Sequence, residues 1–224
     1  IGTAKAEAAM QAVARLNPIR IPSGAMPVVF DKRVGASLLN HLVGAITGSA
    51  VARRTSFLLD RLGQAVFAPG VTIHDDPHRL RGLRSRPFDG EGLATAPAAI
   101  IDGGVLTRWL LDSASARQLG LAPNGHAVRG VSGAPGAGST NLFMAAGDVT
   151  REALIGGIAR GVYVTELIGQ GVNGVTGDYS RGASGFLIGE GALGPAVHEI
   201  TIAGNLAEWP RNLDVTGREL DGIH

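Results

Sequence analysis

Two histidines and two aspartates lie within the five-residue segment His74-Asp75-Asp76-Pro77-His78. Imidazole and carboxylate groups are common metal ligands, so this segment could bind a metal ion or supply an active site. The preceding residues, Val71-Thr72-Ile73, predict a strand, and Asp and Pro favour the turn that ends a strand. A metal site and a strand-ending turn both remain open interpretations of this segment.

Two further motifs suggest hydrolytic chemistry but have simpler explanations. His198-Glu199 resembles the start of a zinc-protease HExxH motif, but position 202 is Ile and the surrounding residues alternate as in a strand. A metal-binding pair four residues apart needs a helix, which places both imidazoles on one face. Asp89 and Glu91 form a close carboxylate pair that could transfer protons. The glycines around them favour a solvated loop.

The stretch from Gly161 to Ile188 predicts a strand, a glycine-rich turn and a second strand. Glycine is needed where the backbone adopts positive φ or where another backbone comes close. Polar side chains between these glycines could face a substrate or a partner. The candidate residues for that face are Asn173, Asp178, Tyr179, Ser180 and Arg181. The alternative is a tight β-meander in which the polar residues cap turns.

Composition excludes several classes of protein. The chain has 224 residues, of which 45% are hydrophobic and 17% charged, as expected for one large globular domain or two small ones. The net charge of +1, without a long basic cluster, gives no footprint for nucleic-acid binding. The absence of cysteine excludes disulfides and thiolate metal ligands from this chain. No apolar run is long enough to span a bilayer, so we expect no membrane partner.

The secondary-structure pattern predicts an α+β fold. Apolar residues at helical spacing predict a helix over Val34 to Ala52, with close packing at Gly44 and Gly48 because glycine is costly inside a helix. Asp-Gly-Gly predicts a hairpin turn within Ala98 to Asp112. Several antiparallel hairpins with two to four helices indicate a large antiparallel β-sheet or meander with a few packed helices.

Several phrases of the sequence resemble one family. They are Ser85–Gly92 (SRPFDGEG), Leu110–Arg117 (LLDSASAR), Thr140-Asn-Leu142, Val164–Gly182 (VTELIGQGVNGVTGDYSRG) and Glu199–Asn205 (EITIAGN). Together they resemble the C-terminal part of the TldD/PmbA family, once called modulators of DNA gyrase, and its PmbA (TldE) branch in particular. The resemblance implies a C-terminal domain over residues 19–224. Residues 1–18 would be a helix or linker from a missing N-terminal half, and the first residue, Ile1, suits a piece of a longer protein.

The resemblance implies a cytoplasmic, two-subunit metallopeptidase. In the TldD subunit, a helical HExxxH motif and a later cysteine bind the metal, and the Glu acts as general base. The complex trims or degrades peptides, including leader segments of ribosomally made peptide products. The PmbA subunit pairs with the TldD subunit. We therefore expect a TldD-type partner that carries zinc, and a peptide substrate. We expect no cofactor in this chain.

The HExxxH motif of that family falls on His41-Leu-Val-Gly-Ala-Ile46. Only the first His is present, since Leu42 replaces the Glu and Ile46 replaces the second His. Catalytic Zn²⁺ takes three protein ligands and a water, so one imidazole cannot hold it. Without the carboxylate, no base would activate that water. We therefore expect His41 to be the remnant of a degenerate motif, and this chain to supply no catalytic residue and no metal ligand.

Three functions remain open from the sequence. The first is a non-catalytic PmbA-type subunit that shapes a substrate channel beside a TldD-type subunit. The second is a peptidase active by itself or as a homodimer through another site, such as the segment 74–78. The third is a non-enzymatic regulator of a gyrase or toxin system. The balanced charge of the chain argues against direct contact with DNA.

Overall fold

Two four-stranded sheets organise the part of the protein that the computed structural model describes, residues 12–213. The strands are β1 (Val28–Phe30), β2 (Ile73–Asp75), β3 (Ala98–Asp102), β4 (Val105–Leu106), β5 (Ala127–Val128), β6 (Gly136–Ala137), β7 (Leu142–Met144), β8 (Arg160–Ile168), β9 (Asp178–Gly189) and β10 (Ala192–Asn205). The helices are α1 (Lys32–Ile46), α2 (Gly48–Ala52), α3 (Ser113–Leu119) and α4 (Arg151–Gly156), followed by a 3₁₀ turn at Trp209–Asn212. No helix among them is long and apolar enough to cross a membrane.

The first sheet has the strand order β1-β8-β9-β10. Its last three strands form an antiparallel meander, which confirms the strand–turn–strand predicted for the glycine-rich stretch. Strand β1 joins β8 in parallel, with Val28 opposite Val162 and Phe30 opposite Val164. Helix α1 follows β1 directly and packs on this sheet, because Val34 and Leu38 contact the core residues of β8 and β9.

The second sheet has the strand order β4-β3-β2-β7, and all of its strand pairs are antiparallel. Its apolar face and the ends of α1 and α2 form a core with fully buried residues at Ile46, Ile73, Ile101 and Leu110. Strands β5 and β6 form a separate two-stranded ribbon. The predicted α+β class is confirmed, and the strands that the sequence placed in one large sheet are divided between these sheets.

The helix predicted over 34–52 is interrupted at Thr47, whose backbone is extended. The Gly48 N–H donates to the Leu110 carbonyl at 2.7 Å, and a Cβ at Gly48 would lie only 2.7 Å from Leu111 Cδ2. This contact confirms the close packing predicted at Gly48 and explains why the helix breaks there. The same prediction is wrong at Gly44, where a Cβ would meet no atom within 4 Å.

The predicted N-terminal segment over 1–18 lies mostly outside the described residues. Residues 12–14 are helical, and Ile19 forms a bridge to Val197 of β10.

Candidate functional site

The glycine-rich turn between β8 and β9 is stabilised by two of the five candidate residues. The Asn173 side chain accepts hydrogen bonds from the N–H groups of Val175 at 2.9 Å and Thr176 at 3.3 Å. The Asp178 carboxylate accepts from Thr176 Oγ1 at 2.6 Å and from Asn205 Nδ2 at 3.1 Å. These two hydrogen bonds, that from Thr176 first, lower the pKa of Asp178 below its usual value. Both side chains therefore close the turn.

Alternation along β9 separates the other three candidate residues. Successive side chains of a strand point to opposite faces, so Tyr179 and Arg181 share one face while Asp178 and Ser180 lie on the other. Ser180 is exposed, and its N–H donates to the Gly171 carbonyl at 2.6 Å. The five residues thus lie on two faces of the sheet, and only Tyr179 and Arg181 face α1.

Tyr179 is 1% exposed and packs between two aromatic rings. The His41 ring of α1 lies 6.1 Å away between ring centroids, edge to face, and the Trp209 ring lies 5.0 Å away. No hydrogen bond of standard geometry reaches the buried Tyr179 hydroxyl, although the Arg181 side chain lies close enough to interact with it. Burial raises the pKa of Tyr179, and the positive charge of Arg181 and its interaction with the hydroxyl oppose that rise. The phenol is therefore a protonated donor at neutral pH.

His41 and Arg181 also carry buried nitrogen atoms without a partner. His41 Nε2 and Arg181 Nε make no hydrogen bond. Burial lowers the pKa of His41, and the nearby Arg181 charge lowers it further, so this imidazole is neutral at neutral pH. We call His41, Tyr179 and Arg181 the His41 cluster. The sequence indicated His41 and the β9 residues separately. The i, i+2 spacing of Tyr179 and Arg181 could have predicted that these two share a face of the strand.

A metal ion does not fit the segment that corresponds to HExxxH. Leu42 is 5% exposed and Ile46 0%, and both belong to the apolar core. The remaining imidazole lies beside a guanidinium, whose charge would repel a divalent cation. Within residues 12–213, no three His, Cys, Asp or Glu side chains converge to hold a metal.

Asp75, in the segment 74–78, is buried in a polar network that the sequence did not reveal. Its carboxylate accepts from the Thr140 N–H at 2.9 Å and from Thr140 Oγ1 at 2.8 Å, and His126 Nε2 lies 3.4 Å from it. Burial alone would raise the pKa of Asp75, but the hydrogen bonds from His126 and Thr140 outweigh it and lower the pKa. This network connects β2 to His126, the residue before β5, and to Thr140, two residues before β7.

The other three polar residues of the segment point to separate partners. The His74 ring packs on Phe143 at 5.4 Å, and Asp76 Oδ1 accepts from the His78 N–H at 2.9 Å. His78 Nε2 lies 3.2 Å from Thr95 Oγ1. The two imidazoles and two carboxylates do not converge, and the geometry matches a strand that ends in an Asp-stabilised turn.

The carboxylate pair at Asp89 and Glu91 has a structural role. Asp89 is 4% exposed and accepts hydrogen bonds from three backbone N–H groups, including that of Ala127 at 3.1 Å. Glu91 Oε2 accepts from the Ser113 N–H at 2.8 Å at the start of α3. His198-Glu199 lies within β10, as the alternation predicted.

Comparison with known proteins gives consistent matches along the chain. The family described as PmbA/TldA metallopeptidase C-terminal domain matches residues 23–223. The Escherichia coli O157:H7 protein "Metalloprotease PmbA" is 43% identical over 216 residues, which are 96% of this chain and 46% of that protein. The chain therefore spans about half the length of this relative.

Solved structures give the same fold. TldE from Thermococcus kodakarensis superposes with a TM-score of 0.84 at 25% identity, covering 95% of this chain and 49% of that one. A Bacteroides thetaiotaomicron protein, proposed to be a modulator of DNA gyrase, superposes with a TM-score of 0.86 at 33% identity, covering 95% and 46%.

Proposed function

Because this chain belongs to the PmbA/TldD metallopeptidase family, we propose that it is part of a PmbA/TldE-type subunit that supports peptidase activity without binding the metal itself. The catalytic zinc and its general base would come from a TldD-type partner subunit. The substrate would be a peptide undergoing maturation or degradation, and the complex would work in the cytoplasm. The 43% identity to "Metalloprotease PmbA" and the structural match to TldE support the assignment to the PmbA/TldE branch.

The geometry at His41 carries this proposal. A metallopeptidase helix would carry its general base at position 42 and its second histidine ligand at position 46. These positions hold Leu42 and Ile46, which are buried in the apolar core. Neither side chain can bind a metal or accept a proton. The imidazole that remains lies against a guanidinium and a phenol, which are both hydrogen-bond donors.

The test is peptidase activity together with metal content, measured on the full-length protein alone and after mixing with a TldD-type subunit. We expect the protein alone to be inactive and free of stoichiometric metal, and the mixture to be active. Activity with bound metal in the protein alone would contradict the proposal. It would direct attention to a peptidase that acts by itself or as a homodimer.

The two alternative functions find less support in the structure. A second active site at the segment 74–78 would need its side chains to converge, and they are engaged with separate partners. A regulator of gyrase is suggested by the description of one structural neighbour. Binding of the full-length protein to duplex DNA at low salt, where electrostatic attraction is strongest, would favour that alternative.

A further inference from the structure

The loop that follows β2, over residues 79–86, projects two leucine side chains into solvent. Leu80 is 89% exposed and Leu83 is 102% exposed. Leucine is among the residue types that are most often buried, because contact of its side chain with water is unfavourable. One exposed leucine is common on a protein surface, but two on a loop of eight residues form an apolar tip. Such a tip is typical of a surface that another molecule covers.

Hydrogen bonds fix the conformation of this loop. Ser85 Oγ donates to the Arg79 carbonyl at 2.6 Å, and Asn141 Nδ2 donates to Ser85 Oγ at 2.9 Å. Asn141 Oδ1 accepts from the Arg84 N–H at 3.0 Å. A Cβ at Gly82 would lie only 2.7 Å from the Asn141 side-chain amide, so the loop packs tightly on this residue. The leucines are therefore presented by a braced segment.

Arg81, between the two leucines, has a left-handed backbone conformation with φ 58°. This conformation is uncommon for residues other than glycine, because the Cβ atom is crowded there. Strained backbone of this kind is concentrated in functional segments. Glycine would relieve the strain at this position but would remove the positive charge.

The loop is also strongly basic. Within residues 79–86 there are four arginines and no acidic residue, which gives a local charge of +4 in a chain of net charge +1. The arginines are Arg79, Arg81, Arg84 and Arg86. In the described part of the chain, no carboxylate forms an ion pair with any of them. Unpaired positive charge on a surface attracts a partner with negative charge.

We propose that loop 79–86 is a docking surface for the partner subunit, whose matching surface would combine apolar pockets for the two leucines with carboxylates for the arginines. Small-molecule sites are concave, whereas these leucines project into solvent. A loop that is already ordered loses little conformational entropy on binding, and arginine is enriched among the residues that dominate binding energy. Its fixed shape favours a folded protein over a fluid bilayer. The choice of a TldD-type subunit as occupant rests on the proposed function.

The test is calorimetric titration of the full-length protein with a purified TldD-type subunit. We expect the double substitution Leu80→Ser and Leu83→Ser to weaken binding at least ten-fold. Because both side chains are exposed in the described structure, their replacement should leave the unfolding midpoint unchanged. The matched control is Leu193→Ser, at a leucine of β10 that is 48% exposed, and it should change affinity less than two-fold.

A second variant tests the charge without weakening the fold. Arg81→Gly removes one positive charge and the strain of the left-handed backbone, so stability should be unchanged or higher. We expect it to weaken binding at least three-fold and to make the affinity less sensitive to salt, since salt screens attraction between exposed charges. Arg117→Gln, at an exposed position of α3, is the control and should retain the affinity and the salt dependence of the unsubstituted protein.

Three outcomes would overturn the docking surface. The first is unchanged affinity in both the leucine variant and Arg81→Gly. The second is a lower unfolding midpoint of the full-length leucine variant, which would show that another part of the same protein covers the loop. The third is loss of binding to anionic phospholipid vesicles or duplex DNA with unchanged affinity for the subunit, which would assign the loop to a membrane or a nucleic acid.

Activity of the mixture separates this proposal from the proposed function. An inactive mixture whose association depends on loop 79–86 would contradict the proposed function and leave the docking surface standing. An active mixture whose association is insensitive to the loop substitutions would contradict the docking surface alone. Absence of any association would contradict both.

Discussion

The hydroxyl of Tyr163 donates a 2.9 Å hydrogen bond to Asp31 Oδ2, the residue that caps the N-terminus of α1. Burial, and after it the hydrogen bond to and the charge of Asp31, raise the pKa of Tyr163 to about 12, so the phenol stays a donor throughout the working pH range. The bond holds the start of α1 against the middle of the first sheet. We predict that Tyr163→Phe lowers the free energy of unfolding by about 2 kcal/mol, as for a lost hydrogen bond to a charged group.

Tyr179 provides the matched control for that prediction, since it is the other tyrosine of the chain and is also buried in this sheet. Its hydroxyl makes no hydrogen bond of standard geometry, so Tyr179→Phe should leave stability unchanged or raise it by up to about 1 kcal/mol. Chemical denaturation of both full-length variants measures the difference. Equal destabilisation by the two substitutions would contradict this assignment of the hydroxyl groups.

The Asp75 carboxylate gives a prediction on acid stability. Its folded-state pKa lies below the unfolded value of about 3.9, because His126 and Thr140 hold the charged form. The stabilisation is therefore fully present above about pH 5 and is lost as the pH falls through the unfolded pKa toward the folded one. Asp75→Asn should cost about 3 kcal/mol near pH 7, as expected when one partner of a buried polar pair is removed, and less near pH 3.

Unfolding midpoints measured from pH 7 to pH 3 test this dependence. The control is Asp60→Asn, at an exposed position, which should leave the acid dependence nearly parallel to that of the unsubstituted protein. If Asp75→Asn and the unsubstituted protein lose stability in parallel between pH 5 and pH 3, Asp75 does not carry the acid sensitivity.

Two glycines of β9 differ sharply in the space around them. A Cβ at Gly185 would collide with the Tyr163 carbonyl oxygen and come within 3.0 Å of Val164 Cα, while a Cβ at Gly189 would meet nothing within 4 Å. We predict that Gly185→Ala destabilises the protein by about 3 kcal/mol because β8 and β9 must separate. Gly189→Ala should change stability by less than about 0.5 kcal/mol. Similar thermal shifts for the two variants would refute the close strand contact at Gly185.

The exposed face of β9 gives a prediction on activity. Ser180 is the candidate residue whose side chain is exposed and free of a turn-closing hydrogen bond, so it can contact a substrate or partner. We predict that Ser180→Ala lowers kcat/KM of the mixed two-subunit complex about five-fold, equivalent to about 1 kcal/mol of hydrogen bonding. Asp178→Asn should also lower activity. Ser132→Ala, in the exposed loop between β5 and β6, is the control, and unchanged activity of Ser180→Ala with intact assembly would remove Ser180 from the interaction surface.

Patterns local in sequence predicted much of the fold. The glycine-rich stretch from Gly161 to Ile188 located β8 and β9, and the Asp-Gly-Gly turn located the hairpin of β3 and β4. The division of the strands into two sheets depends on pairings between distant residues, such as β1 with β8, which periodicity does not encode. The break at Thr47 depends on contact with Leu110 and Leu111, again far along the chain.

The candidate site was predicted only in part, because it too depends on contacts between residues distant in the sequence. The types of His41, Tyr179 and Arg181 were visible in the sequence, but their meeting requires α1 to lie across the start of β9. His126 and Thr140 were not selected as partners of Asp75, since the three residues are joined only by the packing of separate elements. Conversely, Asn173 and Asp178 formed the turn caps that the simpler interpretation described.

The bond between Asp31 and Tyr163 joins residues 132 positions apart, and the parallel pairing of β1 with β8 spans a similar length. During synthesis, β1 and α1 leave the ribosome long before the strands that complete their sheet, while the second sheet is made entirely from the residues in between. Contacts of such large separation slow folding and expose unpaired edges in the interval. The middle of this domain therefore has the opportunity to fold first, with its two ends closing around it afterwards.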